Sequence, residues 1–345
     1  MIKEAIKRLT ERRDLTAEEA AQAMNEVMSG EASPAQVAAF IVSLRMKGET
    51  GEEIAGCARV MRSKARAIRC APARYEVVDT CGTGGDARNT FNISTAAALV
   101  VAGAGVTVAK HGNRAVSSHC GSADVLKQLG VNIEAPAPVV ERCLRECGIG
   151  FLFAPMLHEA MKFAIGPRRE IGVRTVFNLL GPLTNPAGAR CQVMGVYDAA
   201  LAPVLAGVLR DLGSRRCMVV HGDDGLDEIT TTGRTAVAEL RDGQVRTYTI
   251  APEDFGLPRA KLSDLVVHTL EEASAAVHGV LAGESGPRRD IVLLNAGAAI
   301  MVSGAAADLA AGMKRAAESI DSGAAGKTLA QLVSVSSESA PDASK

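Results

Sequence analysis

From about Tyr75 onward, short β-branched runs alternate with alanine- and leucine-rich stretches of helical length, and this alternation restricts the possible folds more than any other feature. Each run ends in a glycine-rich or polar turn. Helices are expected between several runs, as over Thr95–Ala104 and Ala199–Leu212. Strand, turn, helix and strand in succession predict a mostly parallel central sheet covered by helices. The runs are EVVDTCGTGGD, VTVAKHGN, VNIEAP, GFLFAP, QVMGVYD, CMVVHGDDG and IVLLNAG.

The first seventy residues carry helical patterns only. Three S/T-x-x-E/Q boxes begin at Thr16, Ser33 and Thr50. In each box the hydroxyl accepts from free N–H groups and the side chain three residues later reaches back, so each box marks a helix start. Apolar residues follow at helical spacing. The sequence therefore predicts an α/β protein, with a small all-helical domain and a larger α/β domain around a mostly parallel central sheet.

Two further segments are expected to depart from this pattern. Residues Thr235–Ile250 contain two alternating runs joined across Arg241-Asp242-Gly243, which indicates a β-hairpin. The chain ends in the polar stretch VSVSSESAPDASK, beginning at Val333, and polar termini of this kind commonly fray.

Composition argues against several classes of protein. Lys and Arg number 38 against 39 Asp and Glu, and aromatic residues make up 3% with no tryptophan. This balance disfavours binding to nucleic acid or membranes through bulk charge. No apolar run approaches the roughly 20 residues of a membrane span, and the charged N-terminus lacks the features of a signal peptide. The eight cysteines are scattered, which favours reduced thiols and a cytoplasmic location.

Two loops after predicted strands carry features that bind anions. The first runs from Asp79 through three glycines to Asp86, and polar residues up to Thr95 then open an alanine-rich helix. Glycines let backbone N–H groups approach an oxyanion, and a helix start favours phosphate. The second loop, Lys110–Ser118, brings two cations, a histidine and serines to one strand end. A tight turn capped by Ser94 and a solvated basic loop are the alternatives.

A third loop is acidic. Asp223, Asp224, Asp227 and Glu228 fall within six residues after a predicted strand. Such acids repel one another unless a cation or solvent relieves them, and Mg²⁺ commonly binds through one or two carboxylates plus substrate phosphates. An exposed acidic turn is the alternative. Together the three loops indicate a Mg²⁺-bound phosphorylated substrate.

A fourth segment, Gly166–Pro186, is expected to be a helix with Arg168 and Arg169 at its start and a Gly-Pro/Asn-Pro stop. Cations at a helix start oppose the helix dipole unless an anion lies there. This reasoning indicates a second anionic ligand, such as a carboxylate. A solvated helix surface is an equally good explanation from this segment alone.

Six motifs in this order and spacing closely resemble those of the anthranilate phosphoribosyltransferases of tryptophan biosynthesis: CGTGGD, TFNIST, KHGNRAVSS, GSAD, RTVFNLLGPLTNP and HGDDGLDE. The resemblance extends to about Gly326. It implies transfer of the 5-phosphoribosyl group of phosphoribosyl pyrophosphate (PRPP) to the amine of anthranilate. It also implies a helical domain over residues 1–70, completed by helices near 165–186, and a catalytic domain over residues 71–345. Family members are usually homodimers that meet through the helical domain.

The resemblance also implies which residues form the site. Ser94, Asp227 and Glu228 match metal ligands, with two Mg²⁺ ions expected per subunit, and anthranilate-binding positions match Gly82, Asn113 and Arg168. Lys110 has an electrostatic role in the expected mechanism, and no residue is assigned as a general base because an aryl amine is already a neutral nucleophile. Ala87 departs from the family, which often has glycine there. The PRPP-binding positions are Gly82, Gly85, Asp86, Thr90, Asn92, Ile93, Ser94, Thr95, Lys110, His111, Gly112, Asn113, Arg114, Ala115, Val116, Ser117, Ser118 and Ser122.

Three alternatives remain open. A pyrimidine nucleoside phosphorylase-like enzyme shares the implied fold but has no need for Asp227 and Glu228. A non-enzymatic member that binds nucleic acid is expected to have a basic surface and to lack the metal acids. A purely structural oligomeric protein leaves the three ligand loops unexplained.

Overall fold

The computed structural model describes residues 1–71, 74–86, 88–114 and 120–338. The strands are β1 (Val78–Gly82), β2 (Val108–Gly112), β3 (Ile149–Phe153), β4 (Cys191–Gly195), β5 (Arg216–Gly222), β6 (Thr235–Arg241) and β7 (Gln244–Ile250). The helices are α1 (Ile2–Thr10), α2 (Ala17–Met28), α3 (Pro34–Lys47), α4 (Gly51–Lys64), α5 (Ile93–Gly103), α6 (Ser122–Gln128), α7 (Ala137–Glu146), α8 (Ala154–Leu157), α9 (Lys162–Ile171), α10 (Val176–Leu180), α11 (Leu201–Asp211), α12 (Leu270–Leu281), α13 (Pro287–Val302), α14 (Leu309–Asp321) and α15 (Ala324–Ser336).

The three capping boxes predicted in the first seventy residues are confirmed. Thr16, Ser33 and Thr50 are the N-caps of α2, α3 and α4, and each hydroxyl accepts from the backbone N–H three residues later. Each reciprocal side chain reaches back to the cap N–H, so two otherwise unpaired donors are satisfied at every start. Local sequence alone therefore sets where these helices begin.

Glu53 connects the start of α4 to the rest of the helical region. Its side chain is fully buried, and Oε1 accepts from the backbone N–H of Leu15 at 2.9 Å. Oε2 accepts from Thr50 N at 2.8 Å and lies 3.0 Å from the Lys47 ammonium. A buried carboxylate is tolerated only with such partners, so one side chain fixes three segments relative to one another.

The described residues form a central sheet of seven strands in the order β3-β2-β1-β4-β5-β6-β7. Strands β1 to β5 are parallel, whereas β6 pairs antiparallel with β5 and β7 pairs antiparallel with β6. This confirms the predicted mostly parallel sheet. The predicted hairpin is β6–β7, and Asp242 and Gly243 both have positive φ, as a two-residue turn of the favoured twist requires.

Two hydrophobic clusters fill the interior. One contains α5, most of the C-terminal helices and residues of β1 to β3. The other combines α1–α4 with α9, α10, α11 and buried residues of β4 to β6. Ala164, Val176 and Phe177 lie in this second cluster with Phe40 and Leu44. Helices α9 and α10 are thus packed with the N-terminal helices, and the same cluster extends to the sheet.

Two of the predicted strands are wrong. VNIEAP, residues 131–136, is a turn before α7. IVLLNAG, residues 291–297, lies within α13, which begins at Pro287 and is buried on nearly all sides. A short apolar run has the same pattern in a buried strand and in a buried helix, and Pro at a first helical position was the discriminating signal.

The fraying expected from Val333 is wrong for its first residues, because α15 continues to Ser336. Residues 339–345 lie outside the described chain. Among the helices described, none is both long enough and apolar enough to cross a membrane.

Candidate active site

The candidate site lies where the strand order reverses. From β1 the chain proceeds to β2 and β3 in one direction, whereas β4 and β5 extend in the other, so the reversal falls between β1 and β4. These two strands end together, with Gly82 paired to Gly195. Ligands of open α/β sheets bind outside the carboxyl ends of strands at such a point. The loops after β1, β2 and β5 all leave from this edge.

The loop after β1 is shaped by its glycines. Gly84 and Gly85 have φ values of +66° and +80°, which favour glycine, and a Cβ on Gly82 would clash with the carboxylate of Asp227. The Gly84 N–H donates to Asp227 Oδ2 at 2.8 Å. The glycine loop after β1 and the acidic loop after β5 are therefore in direct contact. Ala87, where the sequence departs from the family, lies outside the described residues.

The acidic loop after β5 divides into two parts with different roles. Asp224 accepts from Thr230 Oγ1 at 2.6 Å, from Leu226 N at 3.1 Å and from the Thr232 hydroxyl, so it shapes the loop itself. Glu228 Oε1 instead accepts from the Ser94 N–H at 3.1 Å, at the start of α5. Asp227 and Glu228 thus face the other loops, whereas Asp223 is exposed.

Three carboxyl groups crowd this contact. Burial raises the pKa of Asp227, and repulsion from Asp86 raises it further. The pKa of Glu228 is raised by burial and by the charge of Asp227, and that of Asp86 is raised mainly by burial. Carboxyl groups in such a cluster ionise together only if a cation offsets their repulsion. The arrangement is suited to hold positive charge.

The start of α5 supplies polar atoms that lack partners. Asn92 is the N-cap, and its Nδ2 donates to Cys120 O at 3.2 Å. Asn92 Oδ1 and Thr95 Oγ1 are buried without a hydrogen-bond partner among the described residues. Buried polar atoms are rarely left unpaired, so this end of the helix is built for a bound group. Ile93 packs in the core, and Thr90 forms an isolated bridge with Val266.

Lys110 lies at the centre of these loops. Its side chain belongs to β2 and the residue is 2% exposed. The ammonium donates to Thr80 O at 2.7 Å and to Ser94 Oγ at 3.3 Å. Burial lowers the pKa of Lys110, while the nearby Asp79 carboxylate opposes that shift. A cation is therefore held beneath the start of α5, beside the acidic pair.

Only part of the second loop is described. Ala115, Val116, Ser117 and Ser118 lie outside the described residues. Before them, Asn113 Oδ1 accepts from Arg114 N at 2.7 Å, and the Arg114 guanidinium lies 3.3 Å from the Glu134 carboxylate. After them, Ser122 Oγ donates to Asn113 O at 3.3 Å. A Cβ on Gly112 would lie 2.5 Å from Ser122 Oγ, so the two sides of this loop approach closely.

The His111 side chain points to a different set of partners from Lys110. Its Nδ1 lies 3.1 Å from Gly181 O, and its Nε2 lies 3.2 Å from His158 Nε2. Burial and the neighbouring His158 lower the pKa of His111 to about 3, and burial lowers that of His158 to about 4. Both imidazoles are therefore neutral at pH 7, and they join β2 to the segments around α8 and α10.

The oxygen atoms at this edge suit Mg²⁺ better than a metal ion that is enclosed by protein ligands alone. Within the described residues, no three His, Cys, Asp or Glu side chains are arranged to hold a metal ion. Asp227, Glu228 and the Ser94 hydroxyl instead provide oxygen atoms at one open edge. Mg²⁺ characteristically uses one or two carboxylates and completes its shell with water and substrate phosphates.

Known proteins share both the sequence and this architecture. Residues 74–326 match the model of the glycosyl transferase family, a/b domain, and residues 3–65 match its helical bundle domain. An anthranilate phosphoribosyltransferase from Anaeromyxobacter sp. (strain K) is 60% identical over 333 residues, 96% of this chain and 98% of the relative. The chain belongs to the anthranilate phosphoribosyltransferase family.

Solved structures of the family agree. Anthranilate phosphoribosyltransferase from Thermus thermophilus is 44% identical and superposes with a TM-score of 0.91, covering 97% of this chain and 99% of that one. The Saccharomyces cerevisiae enzyme in complex with PRPP and Mg is 28% identical, with a TM-score of 0.87 and coverage of 97% and 98%. The predicted resemblance, enzyme class and fold class are confirmed.

The helix start expected at Arg168 and Arg169 is wrong. Both arginines lie in the last turn of α9, not at a helix start. Cations favour a helix C-terminus, so their position needs no bound anion. The Arg168 guanidinium carbon lies 4.9 Å from the Phe177 ring centroid. Burial lowers the pKa of Arg168.

Sequence reasoning missed Arg174, between α9 and α10. Its guanidinium donates to Gly85 O and its carbon lies 4.4 Å from the Tyr197 ring centroid. The residue stood in the quoted RTVFNLLGPLTNP motif, but nothing in its spacing indicated a contact with a loop nearly ninety residues earlier. The packing of α9 and α10 against the N-terminal helices brings Arg174 to the candidate site.

Proposed function

We propose that this chain transfers the 5-phosphoribosyl group of PRPP to the amine of anthranilate, giving N-(5-phosphoribosyl)anthranilate and pyrophosphate, a step of tryptophan biosynthesis. One observation supports the proposal most strongly: the glycine loop, the start of α5 and the acidic pair Asp227–Glu228 meet around the buried Lys110. An anion cradle, a cation and a pair of carboxylates are what a pyrophosphate–Mg²⁺ group needs.

PRPP is bound, in this proposal, by the backbone and side chains of the three loops. The N–H groups near Gly82 and Gly85 and the N-terminal end of α5 face the phosphates, where the helix dipole favours negative charge. Asn92 Oδ1 and Thr95 Oγ1, which have no partner within the described part of the chain, gain partners when the sugar hydroxyls bind. The remaining contacts come from the loop after β2, at Lys110–Ser118 and Ser122.

Two Mg²⁺ ions per subunit are proposed, held through Ser94, Asp227 and Glu228. When held there, Mg²⁺ would supply positive charge to offset that of the departing pyrophosphate. The chain itself contributes the orientation of the ligands, because Gly84 N and Ser94 N hold one oxygen of each carboxylate. These hydrogen bonds keep the acids in place before the substrate arrives.

In the reaction the bond from ribose C1 to the pyrophosphate oxygen breaks and a bond from C1 to the anthranilate nitrogen forms, with inversion. The ammonium of Lys110, fixed by Thr80 O, stabilises the negative charge that develops on the leaving group. The amine attacks the opposite face of an oxocarbenium-like centre and then releases one proton to solvent. An aryl amine is neutral at pH 7, so positioning rather than a strong base supplies much of the rate.

Anthranilate is proposed to lie between the loops and α9, at Gly82, Asn113 and Arg168. A guanidinium binds a carboxylate through two parallel hydrogen bonds. The Arg168 guanidinium lies over the Phe177 ring, and this cation–π contact restrains the side chain before the ligand binds.

The larger assembly is also a proposal. We assign residues 1–70, with the helices near 165–186, to a helical domain and residues 71–345 to the catalytic domain, supported by the shared packing of α1–α4, α9 and α10. A homodimer through the helical domain is proposed from the resemblance to the family alone. Eight unpaired cysteines support a cytoplasmic location.

The direct test is the loss of anthranilate fluorescence in the presence of PRPP and Mg²⁺, with and without EDTA. We expect a loss that requires PRPP and that EDTA abolishes. A folded protein that leaves anthranilate unchanged while cleaving nucleosides with phosphate would instead support a nucleoside phosphorylase.

A further inference from the structure

Arg174 joins two parts of the molecule that the proposed reaction uses separately. It lies two residues after Gly172, which ends α9 in the left-handed conformation, and one residue before Thr175, the N-cap of α10. Its exposed side chain crosses to the loops at the sheet edge, where it donates to Gly85 O and stacks on the Tyr197 ring. Both contacts lie at the strand-order reversal between β1 and β4.

The loop that Arg174 contacts is anchored on its other side to the acidic pair. The Thr83 N–H donates to Gly195 O at 2.9 Å, and the Tyr197 N–H donates to Thr83 Oγ1 at 3.2 Å. Gly84 N is bound to Asp227 Oδ2. A Cβ on Gly85 would lie 2.7 Å from Arg174 Nη2, so the guanidinium occupies the space beside the loop. The position of this glycine loop therefore depends on where Arg174 is held.

Arg174 is in turn held by the segment that carries Arg168. Arg168 stacks on Phe177 of α10, and Phe177 and Val176 are buried with residues of the N-terminal helices. Arg168 and Arg174 thus belong to one packed unit, with one arginine at the proposed anthranilate site and the other at the proposed PRPP loop. A displacement of this unit moves both side chains together.

We infer that Arg174 is a positioning residue that couples the two substrate sites: when anthranilate holds the α9–α10 segment, Arg174 fixes the Thr83–Gly85 loop in the form that binds pyrophosphate. This inference rests on the proposed function. Coupling between two sites is reciprocal, so pyrophosphate bound at the loop increases the affinity for anthranilate by the same factor. Arg174 itself need touch neither substrate.

The test uses a pair of ligands that do not react with each other, anthranilate and Mg²⁺-pyrophosphate. The dissociation constant of anthranilate is measured by its fluorescence, with and without saturating Mg²⁺-pyrophosphate, in the wild-type protein and in Arg174→Gln. We expect pyrophosphate to tighten anthranilate binding about tenfold in the wild type, a size typical of a hydrogen bond to a charged group. In Arg174→Gln the ratio of the two dissociation constants, without and with pyrophosphate, falls to near one. The affinity for anthranilate alone changes less than about twofold.

Two further variants separate coupling from other effects. Arg169→Gln removes an exposed arginine from the same segment, one that has no polar partner among the residues described, and keeps the full ratio. Arg174→Lys retains the charge but loses the planar stack on Tyr197, so it keeps part of the coupling. In steady state, Arg174→Gln raises the KM for PRPP more than it lowers kcat.

The inference would be overturned if pyrophosphate tightened anthranilate binding as much in Arg174→Gln as in the wild type, or if it had no effect in the wild type. It would also be overturned if Arg174→Gln bound anthranilate weakly when no pyrophosphate is present, because Arg174 would then be a direct ligand of anthranilate. Turnover of anthranilate with PRPP, measured on the same wild-type preparation, separates this claim from the proposed function. Turnover without coupling contradicts only the role of Arg174, whereas a folded protein without turnover contradicts the proposed function.

Discussion

At the scale of single residues, the site is defined by polar groups that are buried before any ligand binds. Lys110 is an ammonium at 2% exposure with a carbonyl, a hydroxyl and acidic neighbours around it. Such a group is costly to bury, and its interaction with developing negative charge is strong because little water screens it. This is the basis for assigning its role to charge stabilisation.

Lys110→Met tests that role. Methionine has a similar length and no charge, so we expect a folded protein whose kcat falls on the order of 100-fold, as when one donor to a developing anion is removed. Steady-state rates and thermal melting measure the two effects. Lys314→Met, at an exposed position on α14, is the matched control. Full turnover in Lys110→Met would show that the ammonium does not assist pyrophosphate departure.

His111 and His158 give the protein a pH-dependent stability. Their pKa values in the folded chain, about 3 and about 4, lie below the ordinary 6.5 because the side chains are buried. Between pH 6.5 and about 4 the unfolded chain therefore binds more protons, and the free energy of unfolding falls as the pH drops through this range. In His158→Gln we expect the free energy of unfolding to fall less steeply with decreasing pH, by about 1.4 kcal/mol per pH unit. Urea unfolding at several pH values measures this dependence. The same dependence on pH in His158→Gln and the wild type would contradict a neutral, buried His158.

At the scale of elements, the site depends on close approaches that only glycine permits. Gly195 ends β4, and a Cβ there would overlap the backbone carbonyl of Asp227. Because backbone cannot move aside as a flexible side chain can, a larger residue displaces the whole acidic loop. Gly207, within α11, has open space around its Cβ position and offers a comparison.

Gly195→Ala is therefore expected to lose binding of Mg²⁺-PRPP and most turnover, and to melt at a lower temperature. Gly207→Ala is expected to retain activity and to be more stable by about 0.5–1 kcal/mol, because alanine is the better helix former. Calorimetric titration and thermal melting measure both. Wild-type affinity for PRPP in Gly195→Ala would mean that the acidic loop tolerates the displacement.

Elements also show how far the sequence determines the fold. Helix starts at Thr16, Ser33 and Thr50 were predictable because hydroxyl and carboxylate or amide lie three residues apart, where they bond the same backbone turn. The helix over residues 291–297 was not predictable from the sequence. A helix buried on nearly all sides lacks the polar face whose spacing distinguishes it from a buried strand. The glycine loop and the acidic loop were visible in sequence, but the hydrogen bond between Gly84 and Asp227 follows only from the strand order.

At the scale of the whole molecule, three loops far apart in sequence meet because β2, β1, β4 and β5 are adjacent and parallel. The helical layer shares a hydrophobic cluster with one face of this sheet, and this packing places Arg168 and Arg174 near the loops. Sequence patterns report local structure, so the role of Arg174 could not be read from them. The proposed function depends on this meeting, because it requires the acidic pair to hold Mg²⁺-bound PRPP.

The most direct test is calorimetric titration of Mg²⁺-PRPP into the wild type, Asp227→Asn/Glu228→Gln and Asp223→Ala, followed by the anthranilate fluorescence assay on each. The amides keep acceptors for Gly84 N and Ser94 N but lose both charges, and Asp223 is an exposed acid of the same loop. We predict that the wild type and Asp223→Ala bind and turn over, whereas the folded double variant does neither. Mg²⁺-dependent turnover retained by the double variant would contradict the account.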